Sequence, residues 1–483
     1  MLGLGETGLS TTRWLAREQA DVRVADTRAA PPGLEQLRRA LPTVAIACGE
    51  FTDSVFAGID LVAISPGVPL ADPAVRRARA RGVPVVGDIE LFAQALSREP
   101  GSGAQALSRD HKDGAQAPSR KTGPHILAVT GTNGKTTVTA LAGAMCTAAG
   151  LDCEVAGNIS PAALDVLRRR RDGGGDPQAW VLELSSFQLE TTSTLDASAA
   201  TMLNLSEDHL DRYASLQEYA AAKARVFHGN GVQVLNRDDP SSMSMALPGR
   251  RTLSFGVGAP GSPDDFGLLE REGELWLAQG ATPLLAVAEI KLAGMHNAAN
   301  ALAALALCSA IGLPLAPLLA ALRDFRGLAH RVELVGVQGN EKAGVRFYDD
   351  SKGTNVGATV AALDGLAGGV RRPGARVVLI AGGEGKSQDF SPLNPMVART
   401  ARAVVLIGRD AAVIERALEG SGVPVHRAGT MEQAVALAAV EARPGDAVLL
   451  SPACASFDMF RDYKHRGEVY CDAVKRFIDA AAI

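Results

Sequence analysis

Aromatic residues are scarce in this chain of 483, at 4%, and its six cysteines (Cys48, Cys146, Cys153, Cys308, Cys454 and Cys471) form no Cys-x-x-Cys pair. Such spacing speaks against a disulfide framework or a zinc-finger-like site and fits a reducing compartment. No apolar run reaches the roughly 20 residues that a membrane span needs, and no charged-then-apolar leader opens the chain, so a cytoplasmic protein is expected. Basic excess is also missing. With 49 basic and 53 acidic residues the net charge is -4, so no global field points to nucleic acid.

What the chain has is glycine, 51 of them, within an ordinary balance of 47% hydrophobic and 21% charged residues. That composition excludes wholesale disorder, a collagen repeat and a coiled-coil rod. At roughly 150 residues per domain, the length suggests about three domains. Short apolar runs at 22–25, 61–65 and 83–86 alternate with helical patterns at 34–40 and 73–81. Further strands are expected at 125–130, 179–184, 199–205, 345–348, 376–381, 403–407 and 447–450, with a helix over 136–149. Alternation of this kind predicts α/β units with parallel sheets. Between the first two units the motif Ala-Gln-Ala-Leu/Pro-Ser-Arg starts at 93, 104 and 115, set in Gly, Pro and Asp-rich spacers. Such spacers cannot bury an apolar face, so a flexible linker is expected over 97–123. The expected division is 1–96, the linker, 124–327 and 328–483.

The most specific motif is Thr130-Gly131-Thr132-Asn133-Gly134-Lys135-Thr136-Thr137, between an apolar strand and an Ala/Leu-rich helix. Backbone N–H groups of such a turn surround phosphate oxygens, Lys135 adds a point charge, and the Thr136 hydroxyl reaches Mg²⁺. Val129 stands where the full phosphate-loop pattern has Gly. Gly3-Leu4-Gly5-Glu6-Thr7-Gly8, with Asp26 ending the next apolar run, is a dinucleotide fingerprint or a tight turn, and almost no strand precedes it. Glu183, inside an apolar strand, is a Mg²⁺ ligand or a strand-end acid facing solvent. His209, among Glu207, Asp208 and Asp211, holds a cation or belongs to a capped helix start. Lys223 in an alanine-rich helix reads equally as an exposed lysine. Asn297 and Asn300 share one helix face, where they read a base or Asn297 caps the helix. Lys352 and Lys386 each follow a strand, as does Ser451–Ser456, at the edge where open α/β sheets bind ligands.

Taken together these motifs resemble the Mur ligase family, the ATP-dependent amide-forming enzymes of peptidoglycan precursor synthesis. The resemblance rests on 130–137, Glu-Leu-Ser-Ser-Phe-Gln-Leu at 183–189, Glu-Asp-His-Leu-Asp-Arg-Tyr at 207–213, His-Asn-Ala-Ala-Asn at 296–300, His-Arg-Val-Glu at 330–333, Asp-Ser-Lys-Gly-Thr-Asn at 350–355 and Ser-Pro-Ala-Cys-Ala-Ser at 451–456. It implies a Rossmann-like N-terminal domain, a P-loop ATPase-like central domain and a Rossmann-like C-terminal domain, in a monomer. It also implies that ATP phosphorylates the alanine carboxylate of UDP-N-acetylmuramoyl-L-alanine and that D-glutamate captures the acyl phosphate. No Asp-Asn-Pro-Arg, expected of enzymes adding a diamino acid, is present.

By the same resemblance Gly131, Thr132, Asn133, Gly134, Lys135, Thr136 and Thr137 hold ATP, with Asn300, Arg331 and Asp350. Two Mg²⁺ ions are implied, on Thr136 and Glu183 and on His209 and Lys223, the lysine being carbamylated. Lys135, His209 and Lys223 are the implied catalytic groups. Glu6, Thr7, Asp26, Thr27, Arg28, Ser65, Gly67 and Asn158 would hold the UDP-sugar substrate. Lys352, Thr354, Lys386, Ser456 and Tyr463 would surround D-glutamate. A nicotinamide oxidoreductase built on Gly3–Gly8 leaves the phosphate loop unexplained, and a nucleotide switch has no need for lysines in a third domain.

Overall fold

The computed structural model describes residues 1–98, 123–209, 212–292, 294–340, 344–369 and 374–481. Most of the expected linker, 99–122, lies outside them. Three separate α/β sheet systems follow one another along the chain.

In the first, β1 (Arg23–Asp26) pairs in parallel with β2 (Ala45–Cys48), and β3 (Val62–Ala63) with β4 (Val85–Val86). Leu2 bridges the two pairs, in parallel to both Ala25 and Ile64. Its N–H donates to the Ala63 carbonyl and its carbonyl accepts from Ser65, each at 2.8 Å. The strand that the sequence seemed almost to lack is thus supplied by Leu2 and its neighbours. The glycine loop then turns into the helix Glu6–Arg17. Gly8 has to be glycine here, because a Cβ would fall 1.9 Å from the Gly3 carbonyl oxygen. Helices Leu34–Ala40 and Pro73–Ala80 lie where the pattern places them, the second capped by Asp72 on the Ala74 and Val75 N–H groups.

The central sheet has nine strands: β5 (His125–Thr130), β6 (Cys153–Gly157), β7 (Ala179–Glu183), β8 (Ala199–Met202), β9 (Val232–Asn236), β10 (Thr252–Phe255), β11 (Phe266–Arg271), β12 (Glu274–Gln279) and β13 (Thr282–Ala286). Their spatial order is β13-β12-β11-β10-β9-β8-β5-β7-β6. Strand β5 is buried over Ile126–Thr130, as expected of a parallel strand covered on both faces. Strands β11 to β13 form an antiparallel meander that the sequence reading did not foresee. Helices Lys135–Ala148 and Met295–Ala310 pack together, burying Leu141, Met145, Leu302 and Leu305.

The third sheet runs β14-β15-β19-β16-β17-β18, from β14 (Glu333–Gln338), β15 (Val345–Asp349), β16 (Val377–Gly382), β17 (Ala401–Ile407), β18 (Val425–Arg427) and β19 (Ala447–Leu450). Only β14 is antiparallel to its neighbour. The carboxyl ends of β5, β7 and β8 in the central sheet, and of β15, β16 and β19 in the third, carry the strand-end motifs singled out after residue 124, while Asp26 ends β1 in the first unit. That is the edge at which parallel sheets place ligands.

Candidate active site

The phosphate loop takes its shape from two glycines in left-handed backbone, Gly131 at φ 151° and Gly134 at φ 83°. A Cβ on Gly134 would lie 2.5 Å from Asn300 Oδ1, so the loop and the helix bearing Asn300 approach this closely only without one. Asn204 braces the loop, its Oδ1 accepting from the Asn133 N–H at 2.9 Å and its amide donating to the Asn133 carbonyl at 3.1 Å. Lys135 Nζ donates to the carbonyls of Gly131 at 2.8 Å and Thr132 at 2.7 Å. Burial lowers its pKa, against the opposing pull of Glu183 and Asp208.

Glu183 ends β7 and is 2% exposed. Its Oε1 accepts from Asn158 Nδ2 at 2.8 Å, while Oε2 is buried with no hydrogen-bond partner. A carboxylate oxygen in that condition is costly unless a cation meets it. His209, at φ 58°, is held edge-on to Phe187 with ring centres 4.7 Å apart. Burial lowers its pKa, helped by Lys386, Lys135 and Lys223 and opposed by Asp208, so the imidazole is neutral and able to ligate a metal.

Lys223 is not the exposed helix lysine of the bland alternative. It is 1% exposed, with Nζ 2.8 Å from the Gly131 carbonyl and 4.4 Å from the Tyr219 ring centre. Desolvation, and then Lys135, push its pKa well below the usual range. A buried lysine whose pKa is lowered in this way is the kind recruited as a nucleophile. The orphaned Glu183 oxygen, the neutral His209 and the suppressed charge on Lys223 together fit hard divalent cations once that amine carries an oxygen-donating group.

One cavity of about 460 Å³ gathers Thr132 to Thr137, Asn158, Glu183, His209, Asn300, Arg331, Asp350, Lys352, Thr354 and Lys386. Gly131 and Lys223 lie behind its wall. Arg331 enters from the third unit, Nη2 donating to Thr136 Oγ1 at 2.6 Å. Asn300 Nδ2 donates to Asn297 Oδ1 at 3.1 Å, giving the shared face expected of the pair. Burial raises the pKa of Asp350 to about 7, although the Ser451 hydroxyl donates to it at 2.7 Å. Burial, with Arg331, lowers that of Lys352 to about 8. The Lys352 ammonium lies 3.9 Å from the Tyr463 ring centre.

A smaller cavity of about 150 Å³ is lined by Glu6, Thr7, Ser65, Gly67 and Asn158, so Asn158 belongs to both. Ser160 donates to Glu6 at 2.7 Å across the boundary between the first two units. Asp26, Thr27 and Arg28 line neither cavity. Burial would raise the Asp26 carboxyl, but hydrogen bonds from Arg28 and Leu4 outweigh it and hold its pKa at about 2. Ser456 lies beyond the larger cavity, on the loop that includes Cys454 and Ala455.

Two contributors were quoted in the motifs without a role, and a third, Arg466, lies beyond the last of them. Asn355 Nδ2 donates to Asn133 Oδ1 at 3.2 Å and Asp208 Oδ2 at 3.3 Å, joining the third unit to the phosphate loop. Arg466, fully buried, donates to the Ser351 hydroxyl and carbonyl and to the carbonyls of Cys454 and Ala455. It thereby clamps the two loops expected around the amine substrate. Asp208 places its carboxylate 3.7 Å from His209. Membership in the motifs at 207–213 and 350–355 was the only signal that Asp208 and Asn355 gave, and Arg466 gave none.

A phosphate loop facing a carboxylate with one unpartnered oxygen, with lysines delivered from a separate α/β unit, defines a nucleotide-dependent ligase cleft. Family models match residues 1–87 (Mur ligase MurD-like, N-terminal domain), 129–308 (Mur ligase middle domain) and 330–454 (Mur ligase, glutamate ligase domain). The chain belongs to the Mur ligase family. It is 55% identical to the UDP-N-acetylmuramoylalanine--D-glutamate ligase of Nitrosospira multiformis, over 100% of this chain and 96% of the relative. To the enzyme of that name from Aromatoleum aromaticum it is 56% identical, over 100% and 98%. The fold matches UDP-N-acetylmuramate-alanine ligase of Thermotoga maritima at a TM-score of 0.57 and 20% identity, covering 99% and 98% of the two chains.

Proposed function

We propose that this ligase joins D-glutamate to UDP-N-acetylmuramoyl-L-alanine with hydrolysis of ATP to ADP and phosphate, as a cytoplasmic monomer. The observation that carries the reading is the convergence, in one cavity, of the phosphate loop, Glu183, His209 and the lysines of the third unit, with Asn158 opening onto the second cavity. Residues 1–96 are assigned to the UDP-sugar, 124–327 to ATP and 328–483 to the amino acid, with 97–123 as tether. Among the described residues no helix is long and apolar enough to cross a membrane.

The reaction passes the ATP γ-phosphoryl group to the alanine carboxylate, and the amine of D-glutamate then displaces phosphate from the acyl phosphate. Anion must approach anion, so the chain has to position the reactants and neutralise charge. Lys135 does this at the β/γ-phosphates and Arg331 at the neighbouring Thr136. Bound Mg²⁺, two ions in this reading, supplies charge neutralisation, held by Thr136 and Glu183 and by His209 with carbamylated Lys223. Asn158 holds the muramoyl arm beside Glu183. Asn300 and Asp350 orient the nucleoside. Glu6, Thr7, Ser65 and Gly67 take the diphosphate, and Asp26, Thr27 and Arg28 the uridine side. Lys352, Thr354, Lys386, Ser456 and Tyr463 receive the carboxylates of D-glutamate.

The test is phosphate release in the presence of ATP, Mg²⁺, UDP-N-acetylmuramoyl-L-alanine and one amino acid at a time. Release with D-glutamate and with no other amino acid is the expected result. Release with a different amino acid would move the chain within its family, and none with any would overturn the reading.

A further inference from the structure

Beside Arg331, which reaches the phosphate loop at Thr136, four side chains of mixed donor type converge from three segments. His330 Nδ1 lies 2.6 Å from Asp349 Oδ2, and Cys471 Sγ lies 3.6 Å from the same oxygen. Glu333 accepts from the His330 N–H at 3.0 Å, and the donor atoms of His330, Glu333 and Asp349 all lie within 4.8 Å of one another. Glu333 begins β14 and His330 lies three residues before it, Asp349 ends β15, and Cys471 belongs to the helix Tyr463–Ala481. The space exists because residue 467 has no side chain. A Cβ there would fall 2.2 Å from His330 Nδ1 and 2.8 Å from Asp349 Oδ2.

We propose that His330, Glu333, Asp349 and Cys471 form a binding site for a borderline divalent transition ion of the zinc type, distinct from the hard-cation site at Glu183. One nitrogen, one sulfur and two carboxylates suit tetrahedral zinc, whereas Mg²⁺ takes oxygen donors. Tetrahedral bonds of about 2.3 Å to sulfur and about 2.1 Å to oxygen place those atoms about 3.6 Å apart, the spacing of Cys471 and Asp349. Nitrogen and oxygen would stand about 3.4 Å apart, so the His330 ring has to withdraw from Asp349 as the ion enters. Asp349, Glu333 and Glu468 act on His330, Lys475 acts on Cys471, and the buried Arg466 acts on Asp349. Burial and Asp349 push the Cys471 thiol up to about 12, so the ion has to displace its proton as it binds. Asp349 is fully buried, His330 is 16% exposed and Glu333 is open to solvent, which gives the ion an entry path from one side. Cysteine spacing along the sequence gave no hint of it, because His330 and Glu333 share one motif while Asp349 and Cys471 each stand far along the chain from it.

Full-length protein with Mg²⁺ in excess is titrated with Co²⁺ and then Zn²⁺. The expected result is a near-ultraviolet thiolate-to-cobalt charge-transfer band that Zn²⁺ abolishes, and its loss in Cys471→Ser. Zinc affinity should fall by about tenfold or more in Glu333→Gln, an exposed position whose substitution leaves the fold intact. Thermal midpoints in chelator, equal to that of the unsubstituted chain, check that both variants are folded. No band in the unsubstituted chain, a band of equal strength in Cys471→Ser, or unchanged zinc affinity in Glu333→Gln overturns the proposal.

Discussion

Lys223 and Lys352 show how burial assigns chemistry to one amine rather than another. Lys223 is sealed against the Gly131 carbonyl with its pKa lowered by burial, and in the proposed reading it is the amine that takes up CO₂. Lys223→Ala should abolish ligation while leaving the protein folded, and added formate or acetate should restore part of the rate. Full activity in that variant would remove Lys223 from the mechanism. Lys352 keeps its proton below about 8. Since only the ammonium attracts a carboxylate, the KM for D-glutamate should rise as pH climbs through that value, with kcat less affected. A KM flat from pH 7 to 9.5 would show that Lys352 does not bind the substrate. Lys135 was legible in the sequence because a phosphate loop is a local device, readable from eight consecutive residues, whereas Glu183, outside it, stood there as one of two alternatives. Arg466 and Asn355 were not, since their partners lie 11 to 222 positions away and only folding brings them together.

At the scale of elements, the helix Asp88–Ser97 shows a fully satisfied buried acid acting as a joint. Glu90, with 0% exposure, accepts from the N–H groups of Ser193 and Thr194, the Thr194 hydroxyl and Gln94 Nε2. Removing that carboxylate strands buried donors, each at about 1–3 kcal/mol. Glu90→Ala should therefore lower unfolding stability by about 3 kcal/mol or more in denaturant titration, and a loss under 1 kcal/mol would show that water replaces the carboxylate. Strands and helices with strong periodicity, such as β5 and the helix Lys135–Ala148, stand where the pattern placed them. The β11–β13 meander escaped because Glu272-Gly273, its first turn with φ 54° and 80°, has a polar strand end on each side that carries no alternation. Leu2 escaped for another reason: one residue cannot show a period.

For the molecule as a whole, the third unit reaches the phosphate loop through two polar links, Asn355 to Asn133 and Asp208, and Arg331 to Thr136. Links between side chains on opposite sides of a cleft favour closure over opening. Asn355→Ala should shift the unliganded protein toward the open form, seen as a larger radius of gyration by small-angle scattering, and should lower kcat/KM about tenfold, as loss of two hydrogen bonds worth about 1.4 kcal/mol together predicts. An unchanged radius would mean that the closed arrangement rests on other contacts. The partition into three α/β units was visible from length and alternation alone; how they face one another was not, because these contacts join residues with no shared pattern.

Asn158 is a party wall. One amide faces the chamber assigned to the sugar nucleotide and the chamber assigned to ATP, and it is bolted to Glu183 from the ATP side. A compound that drew this side chain toward the first chamber would have to break or stretch its single hydrogen bond to the acid in the second.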